Sequence, residues 1–191
     1  MLPSLNDFKD GGFLFCLPST PAMPPEKGLN MNENSWLENG YCHLVNKTFF
    51  FIEKYFEGIV PAGRPDQDIY WKTKKIYDEL EVLWEEGRTE EADRILGEYL
   101  TFATEYFEQG NPWKNREKNP RACRNTVLNS VQMIANLTVW LGARREYPAY
   151  HVMRWLELDR EWQVYHVHSG YQLPKIEQIT PYHVKSTFQM A

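Results

Sequence analysis

Cysteine is scarce in this 191-residue chain: Cys16, Cys42 and Cys123 stand alone and far apart. An odd count without a CxxC pair excludes a disulfide framework and a zinc knuckle. Long apolar runs are missing too, so no segment spans a bilayer, and no basic stretch leads into an apolar one at the N-terminus. A cytoplasmic, membrane-free protein is expected, and Asn46-Lys47-Thr48 and Asn136-Leu137-Thr138 then read as chance glycosylation matches. Positive charge is not in excess, since 21 Lys and Arg face 26 Asp and Glu for a net −5. Phosphate affinity comes mostly from Lys and Arg, so general nucleic-acid binding is excluded and any such contact must be local. There is no Gly-rich phosphate loop, GxSxG elbow or zincin motif. No cofactor, metal site or catalytic residue is expected.

What the chain does have is apolar and aromatic material, 42% and 15% of its residues. At this length that supplies one core without staples. Residues 1–34 are rich in Pro, Gly, Asn and Ser and read as an extended arm. Its short apolar run, Phe13 to Leu17, is a candidate strand or docking segment. Residues 35–158 show helical periodicity. Residues 159–191 turn mixed, with three His, two Pro and β-like pieces such as Gln163 to Val167, and read as a tail packing back on the helices.

Five helices are predicted. The first, about Ser35 to Phe56, carries Leu37, Tyr41, Leu44, Val45, Phe49, Ile52 and Phe56 at spacings of mostly three and four, with Gly58 and Pro61 as stops. The second, about Asp66 to Glu86, has Asp66 as N-cap and Gly87 after its end. The third starts at Thr89 as N-cap candidate and turns Ala92, Ile95, Leu96, Tyr99, Ala103, Tyr106 and Phe107 inward. The fourth, about Pro120 to Leu141, has Pro120 suited to N1 and a face of Cys123, Val127, Val131, Ile134, Leu137 and Leu141. A short fifth covers about Ala149 to Leu158. Short links between long amphipathic helices favour antiparallel neighbours, hence an all-α up-down bundle.

Between the third and fourth helices lies Gly110-Asn111-Pro112-Trp113-Lys114. Around Trp113 stand Lys114, Arg116, Lys118, Arg121 and Arg124, with Glu117 the one acid between 113 and 125. An indole ringed by cations suits an unpaired nucleobase, with Lys114, Arg116, Lys118 and Arg121 as candidate phosphate contacts. The alternative is a helix-capping Trp packed on a neighbour beside a solvated basic loop.

Three stretches resemble the anticodon-binding helical domain of methionyl-tRNA synthetase. Leu44-Val45-Asn46-Lys47-Thr48, followed by Lys54-Tyr55-Phe56-Glu57-Gly58 and Val60-Pro61, is similar to the segment that opens that domain. Tyr106 to Lys114 resembles the family's Pro-Trp-Lys stretch, and Ser169 to Glu177 its sequence just after the bundle. They occur in the family's order over about Ser35 to Val184. The resemblance implies an RNA-binding module for a tRNA anticodon stem-loop, with Asn39, His43 and Lys47 on the first helix facing the anticodon and Pro112 and Trp113 opposite. The family pattern has Asn where His43 stands and Arg where Lys47 stands. Lys lacks the bidentate fork of Arg, so base discrimination should be poorer. The ATP-binding signatures of the family are absent, so this chain alone should not form methionyl-adenylate. It reads as an excised piece or a stand-alone relative. Residues 1–34 do not resemble the family's preceding segment, which favours the stand-alone reading.

Other constellations carry less. His166 and His168 on a strand would point to one side as a metal pair, or form an ordinary surface pair. Cys42 and His43 could meet Cys16 only if the arm folds back. Glu85, Glu86, Glu90, Glu91 and Asp93 form an acidic helix corner. The reading from a different class is a bundle that has lost RNA binding and docks a protein partner through the arm and its acidic faces.

Overall fold

The computed structural model describes residues 35–143, 147–158, 162–175 and 179, with the side chains of 35–38, 143, 147 and 148 set aside. The expected arm, with Cys16, and the positions beyond 179 fall outside the described residues. Six helices follow in order: α1 (Ser35–Phe56), α2 (Gln67–Glu85), α3 (Thr89–Gly110), α4 (Pro112–Lys118), α5 (Pro120–Ala143) and α6 (Tyr147–Trp155). The fold is all-α.

The helix ends follow local chemistry. Gly58 leaves α1 at φ 77°, and its N–H bonds back to the Ile52 carbonyl at 3.2 Å. Asp66 caps α2 by accepting from the Asp68 N–H at 2.9 Å, and Gly87 follows at φ 72°. Thr89 does not cap α3 as expected. Arg88 holds the cap position without a side-chain cap bond, and its guanidinium instead bonds Glu86 at 2.7 Å and Glu91 at 2.8 and 2.5 Å. This uses up part of the acidic corner.

The pairs that cross the bundle fix its direction. Thr73 Oγ1 meets Tyr99 Oη at 2.6 Å, Tyr41 Oη meets Thr138 Oγ1 at 2.6 Å, and Asn129 Nδ2 donates to Tyr106 Oη at 3.2 Å. Lys47 on α1 reaches Glu108 on α3. Thus α1 and α3 run parallel, α2 and α5 run opposite to them, and the topology is up-down-up-down. Trp140 is fully buried at the centre, with its ring 5.0 Å from each of Tyr77 and Tyr99.

One expectation is corrected at α5. Its apolar face lies inside as predicted, but so do Thr126, Asn129, Ser130, Gln132, Asn136 and Thr138. From Thr126 to Leu141 the helix is central and covered on every side. Buried polar groups persist there because they are bonded. Asn129 Oδ1 accepts from the Asp66 N–H at 2.9 Å and its amide donates to the Arg64 carbonyl at 3.1 Å, pinning the α1–α2 link.

Gln132 and Asn136 hold the tail. Asn136 Oδ1 accepts from the Tyr165 N–H at 2.9 Å and its Nδ2 donates to the Tyr165 carbonyl at 3.1 Å. Gln132 treats Val167 likewise, at 2.9 and 2.5 Å. Four residues of helix rise about 6 Å and two residues of extended chain about 6.6 Å, so amides one turn apart match alternate residues of a passing segment. Residues 164–168 are therefore extended but form no strand, contrary to the β-like expectation. Further on, Val60 N–H donates to the Tyr171 carbonyl at 2.9 Å and Leu173 N–H to the Gly58 carbonyl at 2.9 Å, tying the tail to the end of α1.

Candidate nucleic-acid interface

The basic segment is not the loop that the sequence suggested. It is the helix α4, set at an angle to α3 by a single residue. Asn111 adopts the left-handed conformation (φ 39°, ψ 61°), ends α3, and begins α4 by accepting from the Lys114 N–H at 3.3 Å. Asn tolerates that conformation better than most L-residues. Pro112 fills the first turn of α4, where a missing N–H costs nothing, and is buried. It therefore positions its neighbour and offers no surface of its own.

Trp113, held by this corner, lies against α1 and α3. Its ring sits 5.3 Å from both Phe51 and Phe107, edge-on to each. It remains 39% exposed. Lys47 Nζ lies 5.1 Å from the indole centroid and 6.0 Å from that of Phe107, and is ion-paired with Glu108. Asn39 and His43 are exposed on the same α1 face as Lys47, since steps of four residues drift only about 40°. Neither has a hydrogen bond or ring contact among the described residues. Of the expected set, Lys47 and Trp113 are in contact, while Asn39 and His43 continue the face away from the indole.

The same every-four spacing runs on to Phe51 and Tyr55. The Arg116 guanidinium stacks over the Tyr55 ring at 4.5 Å and bonds Glu117 at 2.6 Å. Lys54 Nζ is 5.3 Å from that ring. Lys114, Lys118, Arg121 and Arg124 are exposed along α4 and the start of α5. Sequence reasoning overlooked Glu108, Phe51, Tyr55 and Phe107 as parts of this site. The signal for Phe51 and Tyr55 was present in the spacing 39, 43, 47, 51, 55. Glu108 stands five residues before Trp113, where the turn at Asn111 brings it back to Lys47.

A hollow among the described residues lies elsewhere. About 360 Å³ in volume, it is lined by Arg64, Pro65, Asp66, Gln67, Asp68, Tyr106, Asn125 and Asn129. It shares none of the expected site residues. The other candidates dissolve. His166 stacks on Tyr70 at 5.5 Å and His168 meets Tyr171 edge-on at 5.6 Å, so the two imidazoles serve different aromatic partners. Cys42 is buried while His43 is exposed. Among the described residues no three His, Cys, Asp or Glu side chains gather as a metal set, and no helix is long and apolar enough to cross a membrane.

Comparison with known proteins bears on the sequence and the fold. The chain is 38% identical over 105 residues to methionine–tRNA ligases of Bacillus cereus strains AH187 and Q1, and 36% identical to that of Bacillus anthracis strain A0248. The match covers 55% of this chain and 19% of each relative, so the chain matches about a fifth of the length of these ligases. Among solved structures, apo methionyl-tRNA synthetase of Mycobacterium tuberculosis superposes with TM-score 0.69 at 15% identity, over 78% of this chain and 33% of that one. The same enzyme with methionyl-adenylate gives 0.68 at 14%, over 76% and 31%. No protein-family model matches. The chain is thus related in sequence to a segment of methionyl-tRNA synthetases and shares their helical fold. It is a synthetase-related module.

Proposed function

We propose that this chain is a cytoplasmic RNA-binding module that reads an unpaired base of a tRNA anticodon stem-loop and has no aminoacylation activity of its own. The observation that carries the reading is Trp113, half-exposed with the Lys47 ammonium 5.1 Å from its ring. An indole face beside a cation stacks a splayed base, and Asn39 and His43 on the same face add polar groups for its edge. Lys114, Lys118 and Arg121 serve as phosphate contacts beside the indole, and Arg116, held over the Tyr55 ring, serves the same task. The bundle of residues 35–158 carries the site, with residues 159–191 as a tail packing back on it and residues 1–34 as an extended N-terminal arm. The missing ATP-binding signatures support the absence of adenylate chemistry, since phosphate charge must be met by groups already in place. Pyrophosphate exchange by the pure protein with methionine would overturn that part.

The test is Trp113→Ala against a tRNA with a CAU anticodon, in low-salt buffer because the net charge is −5. A stacked base contributes about 1–3 kcal/mol, so affinity should fall by roughly one to two orders of magnitude. Lys47→Ala should weaken binding as well, and should lower the salt slope by less than about one if Lys47 meets a base edge. If wild-type protein does not bind tRNA, the reading fails and the bundle is a protein-docking surface. If Trp113→Ala melts early but binds unchanged, the indole is core.

A further inference from the structure

We propose that Phe50 is a second stacking platform, a subsite for the unpaired nucleobase next to the one on Trp113; this rests on the RNA reading above. The chain places Phe49, Phe50 and Phe51 in a row. Steps of 100° fan three consecutive helical side chains over about 200°, so one core cannot take them all. Phe49 and Phe51 are 0% and 2% exposed, whereas Phe50 is 39% exposed, as much as Trp113.

A single exposed phenyl ring is ordinary; its position here is the informative part. On the helical wheel the order is Asn39, Phe50, His43, Lys54, Lys47, all within about 80°. Phe50 therefore lies inside the polar face already assigned to RNA. Its neighbours one turn away are Asn46, Lys47, Glu53 and Lys54. The Asn46 amide is engaged with the backbone of Ile179 at 2.8 and 3.0 Å, which leaves two cations and one carboxylate. Among the described residues Phe50 has no ring partner, and the residue keeps its 39% exposure. Lys47 stands between the two rings, touching the indole and three residues from Phe50. Its ammonium, paired with Glu108, borders the path between two bases, one on each ring.

The experiment uses a CAU-loop RNA stem-loop with an abasic site introduced at each loop position in turn. Wild-type protein should lose affinity at two adjacent positions. Phe50→Ala should bind the intact loop roughly tenfold more weakly and become insensitive to one of those two abasic sites, while Trp113→Ala becomes insensitive to the other. Phe50→Tyr should bind like wild type. Phe50→Leu, which keeps apolar bulk without a π-face, should behave like Phe50→Ala, and all three should keep the wild-type helical signal, since the ring has no aromatic partner among the described residues. If Phe50→Ala and Phe50→Leu match wild type while Trp113→Ala is weak, the subsite is refuted and the Trp113 reading stands. No binding by wild type would overturn both.

Discussion

Gly110 tests whether the corner before Trp113 is as tight as it looks. It is the last residue of α3, two before Pro112. A Cβ there would lie 2.4 Å from Thr126 Cγ2 and 2.5 Å from Thr126 Oγ1. Thr126 cannot swing away freely, since it is 6% exposed and its hydroxyl is bonded to the Ala122 carbonyl at 3.0 Å. Gly110→Ala therefore has to push α3 away from α5. Overpacking of this kind costs about 1–3 kcal/mol. Ala gains up to about 1 kcal/mol of helix propensity mid-helix, less at a terminal position, so the clash wins. A net loss of about 1–2 kcal/mol corresponds to a melting temperature lower by roughly 2–8 °C in a chain of this size. Thermal unfolding followed by circular dichroism reads it. Thr126→Ala removes both offending atoms and leaves only a Cβ at 3.0 Å. The double variant should accordingly recover about 1 kcal/mol relative to the sum of the singles. RNA affinity should also fall in Gly110→Ala, because Trp113 shifts from Lys47 although neither is altered. A Gly110→Ala protein that melts at or above wild type, or an additive double variant, would refute the reasoning.

Much of this architecture could be read from side-chain spacing. The stripes on α1, from Tyr41 on, and on α3 face inward as their three-and-four periodicity implies, and Asp66, Gly58 and Gly87 end helices where cap chemistry places them. Two things could not be read. α5 has an apolar face and a polar one, and polar faces usually meet solvent. Here Asn129, Gln132 and Asn136 bond main-chain groups 29 to 65 residues away in sequence, a pairing that no local pattern announces. Likewise, α4 is a single short turn-rich helix whose composition of Lys, Arg, Glu and Asn suits a loop equally well. Only the double duty of Asn111 as end and start makes it a helix.

The site was partly legible for a similar reason. Asn39, His43 and Lys47 follow from one helix's own geometry, and the Trp113 corner is visible in Asn111-Pro112. That Lys47 meets Trp113 depends on α1 and α3 lying side by side and parallel, which is a tertiary fact. Phe51 and Phe107, on which the indole rests, belong to two different helices and are invisible as a pair until those helices pack. Glu108 then changes the chemistry: Lys47 is not a free cation but half of an ion pair, so an incoming base must compete with the carboxylate or use it as an acceptor.

Further outcomes follow from named contacts. Asn136→Ala removes both bonds to Tyr165 and leaves two main-chain groups less well paired, so it should cost about 1–3 kcal/mol and make the segment around 162–168 a preferred protease site. An intact proteolysis pattern would count against the amide clamp. Cys123 is 1% exposed and burial pushes its thiol pKa up, partly offset by Arg124 and Arg116. It should react with iodoacetamide at pH 8 far more slowly than a free thiol; a rate like that of the unfolded chain would show that α5 opens readily. The last outcome concerns alkaline pH. Burial raises the phenol pKa of Tyr77, Tyr99, Tyr106 and Tyr171 above the ordinary value. Unfolded, these phenols ionise near about 10. Above that pH the unfolded state binds fewer protons than the folded one, so stability present below it is lost as pH rises. The urea midpoint should therefore drop between pH 8 and pH 10.5, and the phenolate absorbance of the buried Tyr77 and Tyr99 should appear only together with loss of helix. Early titration in the folded chain, or a midpoint that holds or rises, would mean that the aromatic cluster around Trp140 is wetter than its packing implies.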